Sequence, residues 1–170
     1  TDMACGPKYF TYINQELPTL CRRFFGIQPV PERTYIMGLS MGGYGAMKCA
    51  FTAPQQYAGC AGFSSVAEIQ AELPQLCRWH EDQAIFPHGI VPPQDDLFDL
   101  VEKFRDGTCP MPRLFLACGQ QDSLYPANLR LRDTLQAMNW PLTWYEAPGD
   151  HNWFFWNDAL ERAMKELLEN

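Results

Sequence analysis

Three residues set far apart in this chain could together carry out acyl transfer: a serine, Ser40, an aspartate, Asp122, and a histidine, His151. Serine alone is a weak nucleophile and needs a neighbouring base, itself oriented by an acid. Ser40 lies in Gly38-Leu39-Ser40-Met41-Gly42, a G-x-S-x-G pattern. In that pattern a strained strand-to-helix turn lifts the serine Oγ clear of a sheet. Glycines two before and two after the serine are expected to leave space for the neighbouring strand and helix. Ser40 would then stand at a helix N-terminus, whose positive end favours the oxyanion of acyl transfer. The backbone N–H of Met41 is the expected oxyanion donor.

A five-residue pattern arises by chance, so its surroundings must confirm it. Where a serine occupies such a turn, the acid and then the base follow on loops after later strands. Asp122 follows the strand-like "RLFLAC" in "CGQQDSLYP", and His151 follows "LTWYEA" in "APGDHNWFF". Order and placement agree, and the triad Ser40, Asp122, His151 is the expectation. Asp150 adjoins His151, but adjacent side chains diverge, so it reads as a solvated loop aspartate. His80 and His88 have no strand before them and read as surface or gap-filling residues. Glu146 ends a strand at the correct edge but does not fit the usual order of acid and base. The run Trp153, Phe154, Phe155, Trp156 reads mainly as core, with Trp153 close enough to His151 to line a pocket.

The elements that must position these residues follow from periodicity. Apolar residues at helical spacing predict a helix over Tyr9 to Phe25, ended by the prolines of "IQPVPERT". Thr34 to Gly38 is short, apolar and partly β-branched, as a buried strand should be. Met41 to Thr52 follows as a helix of small and apolar residues. Further strands are expected at Ala58 to Phe63, Arg113 to Cys118 and Leu142 to Ala147. Helices are expected from Pro126 to about Met138, and after "PGDHNW" to Leu168. Alternating strand and helix implies a mainly parallel sheet in a single α/β domain over residues 1–170.

Residues 66–112 break that rhythm. This stretch is proline-rich and polar, and reads as a lid-like insertion covering a site. Its aromatic load includes Trp79, Phe86, Phe98 and Phe104, and apolar walls suit ligand pockets. Trp79 and Phe86, with Trp153, are the expected pocket residues. The competing reading is that these aromatics pack the insertion onto the body.

Composition sets outer bounds. The 170 residues are 46% hydrophobic and 19% charged, which suits one globular domain with a real core. A formal charge of −7 argues against nucleic acid or an anionic membrane as partner. No apolar stretch reaches the length needed to span a bilayer. The seven cysteines are widely spaced without a CxxC pair, so no metal site, cofactor cluster or disulfide framework is suggested. A reducing cytosol is favoured over a secreted setting.

The phrases "YFTYINQELPTL", "GLSMGGYGAMK", "CGQQDSLY" and "PGDHNWFFWNDAL" together resemble the esterase D group of α/β-hydrolases. That group includes tributyrin esterases, cinnamoyl (feruloyl) esterases and S-formylglutathione hydrolases. The resemblance implies an α/β-hydrolase fold with helices on both faces of the sheet, and no cofactor. It also implies a serine carboxylesterase acting on short-chain acyl or aromatic acyl esters. Hydrolysis of S-formylglutathione and acyl transfer to a sugar or alcohol are the alternatives, and a non-enzymatic binding module is disfavoured by the complete triad. "GLSMGGYGA" with "HNWFFW" is closer to the tributyrin and cinnamoyl branch, since the formylglutathione branch more usually has a histidine where this chain has Leu39. Members of the group carry a larger N-terminal part, with the first strands and a loop giving a second oxyanion donor. Nothing in Thr1 to Arg33 matches it, so a further segment is expected to pair beside the strand leading to Ser40.

Overall fold

The structure, a computed structural model, describes residues 1–76 and 81–169. Among these, four strands form one parallel sheet in the order β1-β2-β3-β4: β1 (Tyr35–Leu39), β2 (Gly59–Phe63), β3 (Arg113–Gly119) and β4 (Leu142–Ala147). Each expected strand is present, displaced by at most one residue at either end. Parallel neighbours require crossovers. The first is α3 (Met41–Thr52), the second is the long 64–112 segment, and the third is α7 (Tyr125–Ala137).

The strand residues alternate between two apolar layers, as the pleat demands. Cys60, Leu114 and Leu116 face a core built with α3 and α7, where Met47, Phe51, Leu131 and Leu135 are buried. Ala61, Phe63, Phe115 and Ala117 face the opposite side, covered by Phe155, Trp156, Ala159 and Ala163 of α8 (Trp153–Leu168). Helices therefore cover both faces, as expected. Asn152 starts α8 by accepting from the N–H groups of Phe154 and Phe155, an N-cap that satisfies donors with no intrahelical partner.

Among the described residues the 64–112 segment contributes no strand, and its short helices are α4 (Ile69–Leu76), α5 (Glu81–Ile85) and α6 (Leu97–Glu102). It is more than a polar cover. Val66, Ile69, Leu73, Phe86, Leu97, Val101 and Phe104 are all buried in the main core. Phe104 packs against Trp140 with ring centroids 4.6 Å apart. An ion pair between Lys48 of α3 and Asp95 fastens the segment to the helix that follows Ser40, and Tyr44 donates a 2.7 Å hydrogen bond to the Asp95 carbonyl. Both charged side chains are nearly enclosed, and burial pulls the Lys48 ammonium down to about 8.

At the other end, α1 (Tyr9–Thr11) runs through a widened turn at Tyr12–Glu16 into α2 (Leu17–Phe25), which stops at left-handed Gly26. This single helical run matches the expected Tyr9 to Phe25. It leaves Tyr9, Phe24, Phe25 and Ile27 exposed. Between it and β1 lies a cleft of about 500 Å³ lined by Ile13, Leu17, Ile27, Tyr35 and Ile36, among others. β1 pairs only with β2 among the described strands, and its five residues are half-buried.

Candidate active site

Ser40 connects β1 to α3 with φ 54° and ψ −120°, a conformation rarely taken by a residue with a side chain. Its N–H donates to the Phe63 carbonyl and its carbonyl accepts from Gly43 and Tyr44, so strand and helix both hold the strained residue. The turn leaves no room at Gly38: a Cβ there would lie 2.1 Å from the Gly42 carbonyl oxygen. The second glycine of the pattern behaves differently from expectation. A Cβ on Gly42 would meet nothing within 4 Å, because that residue is on the exposed side of α3. The clearance is needed one residue later, at Gly43, where a Cβ would come within 2.3 Å of Ser65 Oγ.

The three candidate residues meet at the carboxyl ends of the strands. His151 Nε2 is 3.0 Å from Ser40 Oγ, and His151 Nδ1 is 2.9 Å from Asp122 Oδ2. The Asp122 side chain is fully enclosed, and its other oxygen accepts from the Leu124 N–H at 2.9 Å. With both oxygens engaged, the carboxylate is fixed relative to the ring, and the ring relative to the serine. Ser40 and His151, 111 positions apart in the sequence, come together because β1, β3 and β4 all end at this edge. Met41 opens α3, so its N–H has no acceptor in its own helix and is available beside Ser40.

The competing residues are elsewhere in the network. Asp150 is exposed and accepts from the backbone N–H of His151, not from the ring. Glu146 accepts from Trp144 Nε1, Tyr125 Oη and Gln120 Nε2, and these bonds hold its carboxyl below the usual carboxylate range. It braces the start of α7 against β4. His88 is exposed, and His80 lies outside the described residues. Of the expected pocket residues, Trp153 is 60% exposed and two residues after His151, whereas Phe86 is 3% exposed inside the main core. Phe86 therefore packs the insertion onto the body, and Trp79 lies outside the described residues. In the aromatic run after His151 the structure divides the residues: Phe155 and Trp156 are core, while Phe154 is 93% exposed. Composition alone could not place Trp156, which turns its ring toward His151 with centroids 4.9 Å apart. Its spacing of five residues from the histidine is the only sequence signal available.

Among the described residues, no group of three or more His, Cys, Asp or Glu side chains is gathered to hold a metal ion. Likewise, no helix is long and apolar enough to cross a membrane.

This geometry has clear parallels. Residues 2–105 match the model of the family described as "Esterase: Putative esterase". An acetyl esterase of Caldicellulosiruptor saccharolyticus is 28% identical over 168 residues, covering 93% of this chain and 63% of that protein. Among solved structures, FphF, a fluorophosphonate-binding serine hydrolase of Staphylococcus aureus in a substrate-bound form, superimposes with a TM-score of 0.90 at 30% identity. That match covers 100% of this chain and 67% of FphF. The S-formylglutathione hydrolase FrmB of the same organism gives 0.78 at 30% identity, over 94% of this chain and 60% of FrmB. The chain thus spans roughly two thirds of the length of the relatives it matches.

Proposed function

The chain belongs to the esterase family, and from that premise we propose that it is a serine carboxylesterase acting on short-chain acyl or aromatic acyl esters through an acyl-enzyme. The observation that carries the reading is the relay of Ser40 Oγ, His151 and enclosed Asp122 at 3.0 and 2.9 Å. Asp122 accepts from Nδ1–H and so selects the tautomer with Nε2 unprotonated. Nε2 takes the Ser40 proton as Oγ attacks the ester carbonyl. The Met41 N–H donates to the developing oxyanion. The tetrahedral intermediate then collapses, and the imidazolium gives its proton to the departing alcohol. Water, deprotonated by His151, attacks the acyl-Ser40 carbonyl, and collapse of the second intermediate releases the acid and the serine.

Exposed Trp153, beside the relay, forms one wall of the acyl or alcohol site in this reading. Thioester hydrolysis is the second reading, favoured by the 30% identity to FrmB and opposed by Leu39 before the serine. The same triad would also serve an acyltransferase using an alcohol in place of water. Rates on p-nitrophenyl acetate, a feruloyl ester and S-formylglutathione separate these readings. An ester preferred by kcat/KM supports the proposal, and a preferred formyl thioester supports the second reading. Preference for acyl chains beyond about ten carbons would contradict a small site, since each buried CH₂ contributes about 0.8 kcal/mol.

The half-buried edge of β1 and the apolar cleft beside it further support a strand, supplied from outside residues 1–170, pairing next to β1 and bringing the second oxyanion donor. A soluble, cooperatively folding and fully active 1–170 polypeptide would refute this part. The free cysteines among the described residues fit a reducing, cytosolic setting.

A further inference from the structure

His151 is held by its covalent Cβ–Cγ bond and by hydrogen bonds at Nδ1 and Nε2, so the motion left to the imidazole is a small rotation about Cβ–Cγ that bends both hydrogen bonds. A contact packed against the ring restrains that rotation further. Trp156 makes one: its ring stands at 85° to the imidazole with centroids 4.9 Å apart, an edge-to-face arrangement favoured by the ring quadrupoles.

The indole is itself tied down from two directions. Its Nε1–H donates to Ser64 Oγ at 3.1 Å, and Trp153 meets it at 84° with centroids 5.5 Å apart. Ser64 is fully buried just after β2 and has φ 45°, a region where a side chain is strained. Its N–H donates to the Ala117 carbonyl at 2.7 Å, which ties the strained residue to β3. Cys118 points its thiol at the same Ser64 Oγ from 3.9 Å. A chain of contacts therefore runs from the sheet through Ser64 and Trp156 to the ring that relays the proton.

We propose that Trp156 is a positioning residue for His151 and that Ser64 sets its orientation. The inference rests on the esterase reading, because it gives the imidazole plane a catalytic consequence. Trp156 does not touch the reacting atoms; it acts through the alignment of Nε2 with Ser40 Oγ. A residue that only filled the core would influence stability and leave that alignment alone.

The test compares the complete protein with its Trp156→Phe, Trp156→Leu and Ser64→Ala variants. Four readouts are needed: the rate of Ser40 labelling by a fluorophosphonate, kcat and KM on p-nitrophenyl acetate, the downfield Nδ1–H proton resonance of His151, and the melting temperature. Misalignment near an ångström costs about a hundredfold, so Trp156→Leu is expected to lose about that in labelling rate and in kcat. Trp156→Phe keeps a ring beside His151 without the Ser64 bond, and Ser64→Ala keeps the indole without its acceptor. Each is expected to lose about tenfold, with KM within about twofold of the parent. The His151 resonance should broaden in Trp156→Leu and sharpen again in Trp156→Phe. If Trp156→Leu fails to fold, Ser64→Ala decides. Folded variants that label within about twofold of the parent, with an unchanged resonance, would overturn the proposal. A parent protein that is not labelled at all would instead refute the esterase reading, and the resonance comparison would still judge the positioning.

Discussion

Replacing Asp122 by asparagine changes one atom in the relay and inverts its logic. In the parent, Oδ2 accepts from His151 Nδ1 at 2.9 Å while Oδ1 accepts from the Leu124 N–H at 2.9 Å. Asparagine has one acceptor and one donor group. Its carbonyl oxygen is held by the Leu124 N–H, because turning it away would set two donors against each other in a fully enclosed place. The amide NH₂ then faces Nδ1 and forces that nitrogen to accept. The ring proton moves to Nε2, which points at Ser40 Oγ from 3.0 Å and can no longer take its proton. A triad with the wrong tautomer loses about 10⁴ in kcat, or about 5.4 kcal/mol at 1.36 kcal/mol per decade. Asp150 is the internal control. It is exposed and its carboxylate accepts from the His151 backbone N–H, not from the ring, so Asp150→Asn is expected to stay within about tenfold of the parent. Steady-state hydrolysis of p-nitrophenyl acetate, with the melting temperature of each variant, makes the comparison. Equal losses in the two variants, or a larger loss at Asp150, would refute the assignment of the acid.

Two more predictions come from the packing. Gly38→Ala would place a Cβ 2.1 Å from the Gly42 carbonyl oxygen, and only a shift of the α3 start away from β1 relieves it. A loss of at least about a hundredfold in kcat is expected, together with about 1–3 kcal/mol of stability, read from turnover and denaturant unfolding. A fully active Gly38→Ala would show that the turn can open to admit a Cβ at Gly38. Burial raises the thiols of Cys49 to about 11 and Cys118 to about 12, and pushes Cys60 up as well. In the native protein these three are therefore expected to resist a disulfide reagent at pH 8 while exposed Cys5 reacts, and all to react in denaturant. Rapid native reaction at Cys60 or Cys118 would contradict the packed sheet.

The four strands and the meeting of Ser40, Asp122 and His151 were legible because each carries its signal locally. A run such as "RLFLAC" states its own burial, and Asp122 and His151 each sit just past such a run. Once the strands are parallel, their carboxyl ends share one edge, and residues 111 positions apart come together without further information. What was not legible depends on contacts between distant segments. The aromatic residues of the 64–112 segment stood out, but nothing local told pocket from core: Phe86 and Phe104 are buried in the main core together with Leu97, which opens α6. Spacing alone made Gly42 the residue needing clearance, whereas the direction of the first turn of α3 assigns that need to Gly43. Trp156 read as core and is core, yet its relation to His151 arises only where α8 crosses the end of β2, at Ser64.

The proposed chemistry stands or falls on Ser40 as a nucleophile activated by His151. Incubating the complete protein with a fluorophosphonate probe, and locating the adduct by mass spectrometry, tests it most directly. A single adduct on the peptide carrying Ser40 is expected, abolished by Ser40→Ala and slowed at least about a thousandfold when His151 is replaced by alanine. An adduct that persists in Ser40→Ala, or that forms at the parent rate without His151, would contradict it.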